Sequence, residues 1–404
     1  MNPLQALVER GILDDPWLDG QLRLATTPEV LPAATAGELA EAACTVAALL
    51  DVVVHAVAGD AALVARLGLD PAQAALAHLD APRWLGLARA DVFLVDGAAP
   101  QVCELNCDTP TGLAECTELG RLAALDHPTL LDPSAGLLNR WRDMVLAPFG
   151  GRPVAVGMLD ATEITDDLGH IRLLTRTLTE AGCAVVRGAP FNLVDFPGDR
   201  VGLFDQPCDL LIRHYKTDWW GARRSPWRQA PPPPDAVPLH RELPLIARAM
   251  AAGTVVVANP WGAALAQSKR ALALPWERPG LLPADVVAAA LRHLPETRWL
   301  DALPPALLLA EQADWVLKSA FGCEGDEVVL GSAVDATTWR AAIDRADPTQ
   351  WVAQRAFAPV RAADGSLANY GVYLIGGRPS GIYTRRSPVA TDHRAWACPT
   401  LVAA

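Results

Sequence analysis

Two short apolar runs joined by a turn constrain the fold of this chain most strongly, because polar side chains recur along both at alternate positions. The runs are 89–95 and 101–107, and Asp96-Gly97 between them predicts a hairpin turn. Residues two apart on a strand project from the same face, so we expect Glu104 and Asn106 to be neighbours. The pattern therefore predicts an antiparallel hairpin with a polar face.

The predicted register of this hairpin places like charges opposite each other. A four-residue loop pairs Val95 with Pro100, and Asp91 then lies opposite Glu104. Directly opposed carboxylates destabilise a hairpin unless positive charge lies between them. Because Mg²⁺ takes carboxylate and amide oxygens, we predict a magnesium site at Asp91, Glu104 and Asn106. An ordinary solvated hairpin face is the alternative.

Lysine is rare in this chain, and the positions where it occurs are informative. Only three of the 34 basic residues are lysines, at Lys216, Lys269 and Lys318. An ammonium on a flexible stem binds phosphate as a point charge, which the planar guanidinium of arginine does differently. Lys269 falls in a predicted helix over 262–273 and Lys318 in a predicted strand. We interpret these two as phosphate ligands, whereas chance is a serious alternative for Lys216.

A glycine-containing loop follows the strand of Lys318. It contains Gly322, Glu324 and Gly325, and a second strand comes directly after it. Backbone N–H groups of such a loop can bind a triphosphate, although most loops of this kind are plain hairpins. Gln354 lies on a later strand that we expect to border an adenine ring. Together these residues predict a nucleotide-binding lobe.

Composition limits the classes of protein and of partner. The chain has 404 residues, of which 51% are hydrophobic and 20% charged, and its formal net charge is −12. This acidic balance argues against nucleic acid and against an anionic membrane as partners. Eight cysteines without metal-binding spacing are typical of a reducing compartment, and the first residues do not resemble a signal peptide. We therefore expect a cytoplasmic protein.

The order of predicted elements divides the chain into four segments of a mixed α/β (α+β) fold. Residues 1–80 are predicted to be helical, and 81–150 contain the polar hairpin. Residues 151–235 alternate strands and helices in the manner of a small parallel α/β unit and end in four prolines followed by an aspartate. Residues 236–404 are predicted to form a largely antiparallel ATP-binding lobe.

Several of these stretches resemble the glutathionylspermidine synthase family of circularly permuted ATP-grasp ligases. The most specific is Glu104 to Gly112, which reads ELNCDTPTG, with Arg89-x-Asp91 upstream of it. The others, in the family's order, are Asn259-Pro260, Val316-Leu317-Lys318 before its glycine loop, and Gly381 to Arg385. The resemblance covers about residues 80–404.

The resemblance implies a fold, an activity and a set of site residues. In ATP-grasp enzymes of the usual order the lysine lobe precedes the metal-binding acids, whereas here the acidic hairpin comes first, as the permuted arrangement implies. The family suggests Mg²⁺ at the hairpin oxygens and ATP phosphates at Lys269, Lys318 and the 319–326 loop. It also suggests Arg89 and Arg385 as catalytic residues beside the reacting carboxylate. The implied activity is an ATP-dependent carboxylate–amine ligase that acts through an acyl phosphate.

Some positions depart from the family pattern and keep other functions open. Ser268 stands where the family favours asparagine, Cys323 replaces a loop arginine, and Ser319 replaces a proline. A catalytically degenerate member that binds nucleotide or a partner is one alternative, and a phosphotransferase that uses the same ATP site is another. A metal-dependent hydrolase would need a general base that the hairpin lacks. We expect a small-molecule or peptide carboxylate and an amine as substrates, without indication of which ones or of the oligomeric state.

Overall fold

The computed structural model describes residues 3–13, 16–18, 20–161, 167–221, 224–231, 239–322, 327–388 and 394–403. The fold is mixed α/β with both parallel and antiparallel sheets, as the sequence predicts. Its α-helices, in chain order, are α1 (Pro3–Glu9), α2 (Ala33–Val57), α3 (Ala61–Arg66), α4 (Pro71–Asp80), α5 (Gly120–Asp126), α6 (Leu137–Leu146), α7 (Leu168–Glu180), α8 (Glu242–Ala251), α9 (Ala263–Gln267), α10 (Leu274–Glu277), α11 (Ala284–Ala290), α12 (Pro305–Ala310) and α13 (Ala336–Arg345).

The strands are short except for two near the carboxyl end. In chain order they are β1 (Trp17–Leu18), β2 (Gln21–Leu22), β3 (Glu29–Pro32), β4 (Leu87–Phe93), β5 (Gln101–Asn106), β6 (Ala155–Asp160), β7 (Ala184–Gly188), β8 (Leu193–Phe196), β9 (Arg200–Leu203), β10 (Gln206–Pro207), β11 (Leu210–His214), β12 (Val256–Ala258), β13 (Thr297–Trp299), β14 (Trp315–Ser319), β15 (Val328–Leu330), β16 (Trp351–Arg355), β17 (Leu367–Ile375), β18 (Arg378–Ser387), β19 (Trp396–Cys398) and β20 (Thr400–Ala403).

The central sheet joins distant parts of the chain. It is antiparallel, with strand order β19-β18-β17-β4-β5. The predicted acidic hairpin, β4 and β5, therefore lies beside the predicted C-terminal hairpin, β17 and β18. This pairing brings residues near position 90 and residues near position 385 onto one surface.

A second sheet is parallel, as predicted for the middle of the chain. Its strand order is β12-β11-β6-β7, and α7 connects β6 to β7. The two central strands, β6 and β11, begin with short buried apolar runs, which is typical of a sheet covered on both faces. Strand β12 comes from beyond residue 235, so the sheet crosses the segment boundary predicted from sequence. The domain boundaries themselves stay a prediction.

A third sheet, of the order β13-β16-β14-β15, is antiparallel and carries the strand of Lys318. Its own core contains three buried tryptophans, Trp315, Trp339 and Trp351, the second of them on α13. Asp335 directly precedes helix α13, and its carboxylate accepts a hydrogen bond from the Thr338 N–H and so caps the helix. The phosphate-binding candidates of this lobe thus stand on a packed sheet.

Helix α2 is the one helix in the described ranges that is long and apolar enough to cross a membrane. Its 25 residues include ten buried side chains, among them Leu39, Val46, Leu50 and Val54, which pack in the core shared with β4, β5 and β17. A helix that is apolar nearly all round belongs in the core of a large protein. We therefore describe α2 as a core helix.

The first 80 residues are not purely helical, contrary to the prediction. Strand β3 pairs in parallel with β20, and Leu24 bridges to Ala397 in β19. The alternation of apolar and polar residues in these strands is too short to be distinguished, in the sequence, from irregular chain. The C-terminal strands, which the sequence pattern could not assign as partners, hold this N-terminal segment against the central sheet.

Candidate active site

The register of the polar hairpin is the predicted one where the polar residues lie. Asp91 pairs with Glu104 and Arg89 with Asn106, so their side chains share one face of the sheet. Beyond Asp91 the register shifts by one residue, since Val92 pairs with Val102. The predicted pairing of Val95 with Pro100 is therefore wrong, and Val95 bridges to Pro359 instead. A β-bulge at Cys103 absorbs the extra residue.

Asp91 is almost fully buried and lies between two guanidinium groups. Arg89 Nε donates to Asp91 Oδ1 at 2.9 Å, and Arg385 Nη2 donates to Asp91 Oδ2 at 2.6 Å. Asn369 Nδ2 makes a longer contact to Oδ2 at 3.4 Å. Burial alone raises the pKa of Asp91, but the charges of Arg89 and Arg385 hold it well below its usual range. The carboxylate is therefore ionised, and it fixes both arginines.

Glu104 lies next to Lys269 on the same face. Lys269 Nζ is 3.2 Å from Glu104 Oε2, and Asn106 Nδ2 donates to Glu104 Oε1 at 3.1 Å. Burial raises the pKa of Glu104, yet the nearby ammonium of Lys269 and the Asn106 hydrogen bond lower it overall. Contrary to the prediction, Lys269 is not helical but follows the end of α9, and its backbone N–H donates to Ala320 O at 3.0 Å.

Lys318 reaches the hairpin from the third sheet. Its Nζ donates to Gln354 Oε1 at 2.8 Å and to Cys103 O at 3.3 Å. Gln354 is itself buried and donates to Thr297 Oγ1 at 3.0 Å. The β-bulge at Cys103 thus presents a carbonyl to the lysine, which links the nucleotide-lobe candidates to the acidic hairpin.

The start of the glycine loop is held by the other lysine. Lys269 Nζ donates to Gly322 O at 2.9 Å, and the Gly322 N–H donates to Ser319 Oγ at 2.8 Å. Ser319 also hydrogen-bonds to Glu327 on the far side of the loop. Two predicted ligands, Glu324 and Gly325, lie outside the described residues, so their contribution stays a prediction.

The hairpin oxygens fit Mg²⁺ by their chemistry, but in the present arrangement they have other partners. Asp91 and Glu104 are close enough for the charge of Asp91 to raise the pKa of Glu104. An ion between them would relieve this repulsion. Asn106 turns its Nδ2 towards Glu104, so its amide would have to rotate before Oδ1 faced a cation. Within the described ranges, no three His, Cys, Asp or Glu side chains gather as ligands of one metal ion.

Asn259 joins the hairpin to the parallel sheet, a role that its sequence neighbours did not reveal. Its Nδ2 donates to Leu87 O at 2.9 Å, Cys107 O at 3.0 Å and Asp108 O at 3.0 Å. Its Oδ1 accepts from the Leu87 N–H at 2.8 Å. One side chain therefore ties the start of β4 to the end of β5.

Asp108 forms a second link between the hairpin and the parallel sheet. Its carboxylate accepts from Arg213 Nη2 at 2.5 Å and from the Thr217 hydroxyl at 2.7 Å. All three residues are buried. Lys216, between them in sequence, places its ammonium 5.1 Å from the centre of the Trp219 ring. Lys269 and Lys318 contact the hairpin or the start of its glycine loop, whereas the described contact of Lys216 is with Trp219.

Comparison with known proteins shows a family match over most of the chain. Residues 30–403 match the family model described as glutathionylspermidine synthase preATP-grasp. No curated protein matches the chain in sequence. Among solved structures, a glutathione synthetase-like effector from Globodera pallida aligns with a TM-score of 0.60 at 10% identity, over 99% of this chain and 95% of the effector.

A second solved structure is more distant. A protein from Methylobacillus flagellatus assigned as a γ-glutamylcysteine synthetase has a TM-score of 0.47 at 12% identity, with 84% of each chain covered. At such identities a structural likeness shows the fold alone. The family match, in contrast, extends from β3 to β20 and includes the polar hairpin, both site lysines and Arg385. This chain therefore belongs to the glutathionylspermidine synthase preATP-grasp family.

Proposed function

We propose that the protein is an ATP-dependent ligase that joins a carboxylate to an amine. The observation that supports this most is the convergence of cations on the hairpin face from separate parts of the chain. Lys269 contacts Glu104, Lys318 contacts the Cys103 carbonyl, and Arg385 contacts Asp91. Phosphoryl transfer needs positioning and charge neutralisation more than covalent help from the protein. This arrangement supplies both.

The reaction that we propose has two steps. In the first, a carboxylate oxygen of the acid attacks the γ-phosphorus of ATP, so that an acyl phosphate forms and ADP leaves. In the second, the nitrogen of the amine attacks the carbonyl carbon, phosphate leaves and one proton is lost. Lys269 and Lys318 would neutralise the charge of the triphosphate in the first step.

The two arginines would act on the reacting carboxylate. Asp91 holds the guanidinium groups of Arg89 and Arg385 side by side, and Arg89 Nη1 also donates to Thr111 O at 2.7 Å. Donors that are fixed in advance stabilise a developing oxyanion without reorganisation during the reaction. Mg²⁺ bound at Asp91, Glu104 and Asn106 would add charge neutralisation at the phosphates.

Calorimetric titration with MgATP tests the nucleotide site directly. We expect saturable one-to-one binding by the wild type and binding weaker by about tenfold to a hundredfold in Lys318→Ala, because a hydrogen bond to a charged group contributes about 1.5–3 kcal/mol. Arg10→Ala, at an exposed arginine near the N-terminus, is the matched control and should bind as the wild type does. Wild-type protein that shows no heat with MgATP would contradict the proposed function.

Trapping with hydroxylamine separates a ligase from a phosphotransferase. An acyl phosphate reacts with hydroxylamine to give a hydroxamate and phosphate, whereas a phosphorylated hydroxyl group does not. We expect ATP-dependent hydroxamate from a panel of carboxylic acids, and none from Glu104→Ala although that variant should remain folded. Binding of MgATP with neither hydroxamate nor ADP release for any acid would favour the degenerate alternative.

A further inference from the structure

Asn369 is a buried polar side chain beside Asp91 that has no part in the reaction described so far. It lies on β17 two residues before Gly371, which pairs with Asp91 on one side and with Tyr383 on the other. Asn369 and Asp91 therefore project from the same face of the central sheet. Asn369 is 2% exposed, and its Nδ2 lies 3.4 Å from Asp91 Oδ2. Its Oδ1 is enclosed and accepts no hydrogen bond from any described residue.

Two further enclosed polar atoms lie on the same face. Asn369 pairs directly with Arg385 on β18, and Ser387 is two residues beyond Arg385, so the three side chains are neighbours. Ser387 is 1% exposed. Its Oγ and the Nε of Arg385 are both enclosed without a partner in the described ranges. Buried polar atoms without a partner are rare in native proteins, so three neighbouring ones call for a common explanation.

The atoms of Asn369 and Arg385 that lack a partner flank one carboxylate oxygen. Arg385 Nη2 donates to Asp91 Oδ2 at 2.6 Å, and Asn369 Nδ2 approaches the same oxygen. Arg385 Nε is two bonds from its Nη2, and Asn369 Oδ1 is two bonds from its Nδ2. The side chain of Arg385 is 17% exposed, so a ligand can approach this place from solvent.

The three atoms offer one donor beside two acceptors. Arg385 Nε can only donate, Asn369 Oδ1 can only accept, and the Ser387 hydroxyl can do either. A carbonyl oxygen suits the donor, and the two N–H groups of an amine suit the acceptors. Both acceptors are neutral, and Arg89 and Arg385 outnumber Asp91 here, which disfavours an ammonium ion. An amine must be uncharged to attack a carbonyl group, because protonation removes its lone pair.

We propose that Asn369 and Ser387 bind the attacking amine, a proposal that rests on the ligase function proposed above. Asn369 Oδ1 and Ser387 Oγ accept from the two N–H groups of an uncharged primary amine, and Arg385 Nε donates to the carbonyl oxygen of the acyl phosphate. The nitrogen lone pair forms the C–N bond while the C–O bond to phosphate breaks. The phosphate leaves with that electron pair and takes up the proton that the nitrogen loses.

Hydroxylamine is the amine used in the test, because it is small and largely uncharged at neutral pH. The full-length protein is incubated with MgATP and a panel of amino acids, dicarboxylic acids and short peptides, and the hydroxylamine concentration is varied. ADP release reports formation of the acyl phosphate, and hydroxamate reports attack by the amine. Attack on a bound acyl phosphate saturates with hydroxylamine, whereas attack on acyl phosphate free in solution does not.

We expect Asn369→Ala and Ser387→Ala each to raise the half-saturating concentration of hydroxylamine about threefold to tenfold, the size expected for one neutral hydrogen bond. ADP release at saturating hydroxylamine should stay near the wild-type rate. Ser387→Thr keeps a hydroxyl group and should restore part of the loss. Ser387→Ala should also be at least as stable as the wild type, because the hydroxyl group that it removes has no partner among the described residues. Asn139→Ala and Ser332→Ala are exposed controls.

The outcomes separate the amine subsite from the ligase function. No ADP release from MgATP with any acid would contradict the ligase function and the subsite with it. ADP release and hydroxamate that fall by the same factor at every hydroxylamine concentration would overturn the subsite alone, because the variants would then impair the first step. An unchanged half-saturating concentration in both variants would overturn it too, and would indicate that the enclosed atoms bind water only.

Discussion

At the scale of single residues, the glycine at position 112 sets the position of Tyr383. Gly112 has a φ of +84°, and a Cβ atom placed on it would lie 2.5 Å from Tyr383 Cε1. A side chain at this position is thus opposed both by the backbone conformation and by the ring. The glycine that ends the ELNCDTPTG stretch is consequently a structural requirement of the site.

Replacing this glycine gives a residue-scale prediction with a matched control. We expect Gly112→Ala to lower the free energy of unfolding by about 2–4 kcal/mol, since backbone strain of about 1–2 kcal/mol adds to the clash with Tyr383. Gly97→Ala isolates the strain, because Gly97 has a φ of +65° and the methyl group of alanine would meet no atom within 4 Å there. Urea unfolding gives the free energy of unfolding of both variants. Equal losses of stability in Gly112→Ala and Gly97→Ala would contradict a clash with Tyr383.

The rarity of lysine in the chain was a useful but incomplete guide to the residues of the site. Lys269 and Lys318 contact the hairpin, whereas Lys216 lies over a tryptophan ring next to the parallel sheet. Their predicted role as phosphate ligands stays a prediction. The positions of the few lysines indicate where the chain has an ammonium group, but not which residues that group contacts. The two arginines that hold Asp91 could not be distinguished by composition from the other arginines of the chain.

At the scale of elements, the site depends on how the hairpin is anchored. Asn259, after β12 of the parallel sheet, is hydrogen-bonded to both strands of the hairpin through Leu87 and Cys107. A buried backbone N–H or C=O group that loses such a partner has no water molecule to form a hydrogen bond with instead. The acidic hairpin therefore keeps its place only while the two sheets stay together.

Removal of the Asn259 amide is the element-scale prediction. Asn259→Ala should lower the free energy of unfolding by about 2–4 kcal/mol, because several buried backbone groups lose their partner. Asn259→Asp keeps an acceptor for the Leu87 N–H but loses the donors, and should be destabilised as well. Asn139→Ala, at an exposed asparagine, should have little effect. Chemical denaturation gives the values, and an Asn259→Ala variant as stable as the Asn139→Ala control would contradict this role.

At the scale of the whole molecule, buried histidine makes stability depend on pH. His170 on α7 is 4% exposed and stacks on His214 with ring centroids 4.4 Å apart. Burial, and then the charge of His214, lowers the pKa of His170 from 6.5 to about 3, although Asp167 opposes this. The unfolded chain therefore binds a proton at a higher pH than the native chain does, so stability is lost as the pH falls below about 6.5.

This dependence can be measured on the intact protein. Between pH 6.5 and about 4 the free energy of unfolding should fall by up to about 1.4 kcal/mol per pH unit from this one group. His170→Phe keeps a ring against His214 and removes the titration, so its pH profile should be flatter. His55→Asn, at an exposed histidine, should follow the wild type. A His170→Phe profile parallel to that of the wild type would contradict a buried neutral His170.

Much of the fold and part of the site could be read from local pattern. Alternation of period two places Asp91, Glu104 and Asn106 on one face, because neighbouring residues of a strand always point to opposite sides. The register of a hairpin follows from the length of its loop only until a bulge intervenes, and the bulge at Cys103 left no signal in the sequence. The same bulge provides the carbonyl that Lys318 contacts.

The sequence by itself determined the polar pattern of the hairpin, the order of the motifs along the chain and the family to which the chain belongs. These properties depend on residue types and on spacing within short stretches. Only the tertiary structure decided that Arg385 and Arg89 share Asp91 although Arg385 and Asp91 are 294 positions apart, and that Asn259 anchors the hairpin. Such contacts depend on which strands become neighbours in a sheet. That choice follows from burial of the whole core and not from any local pattern.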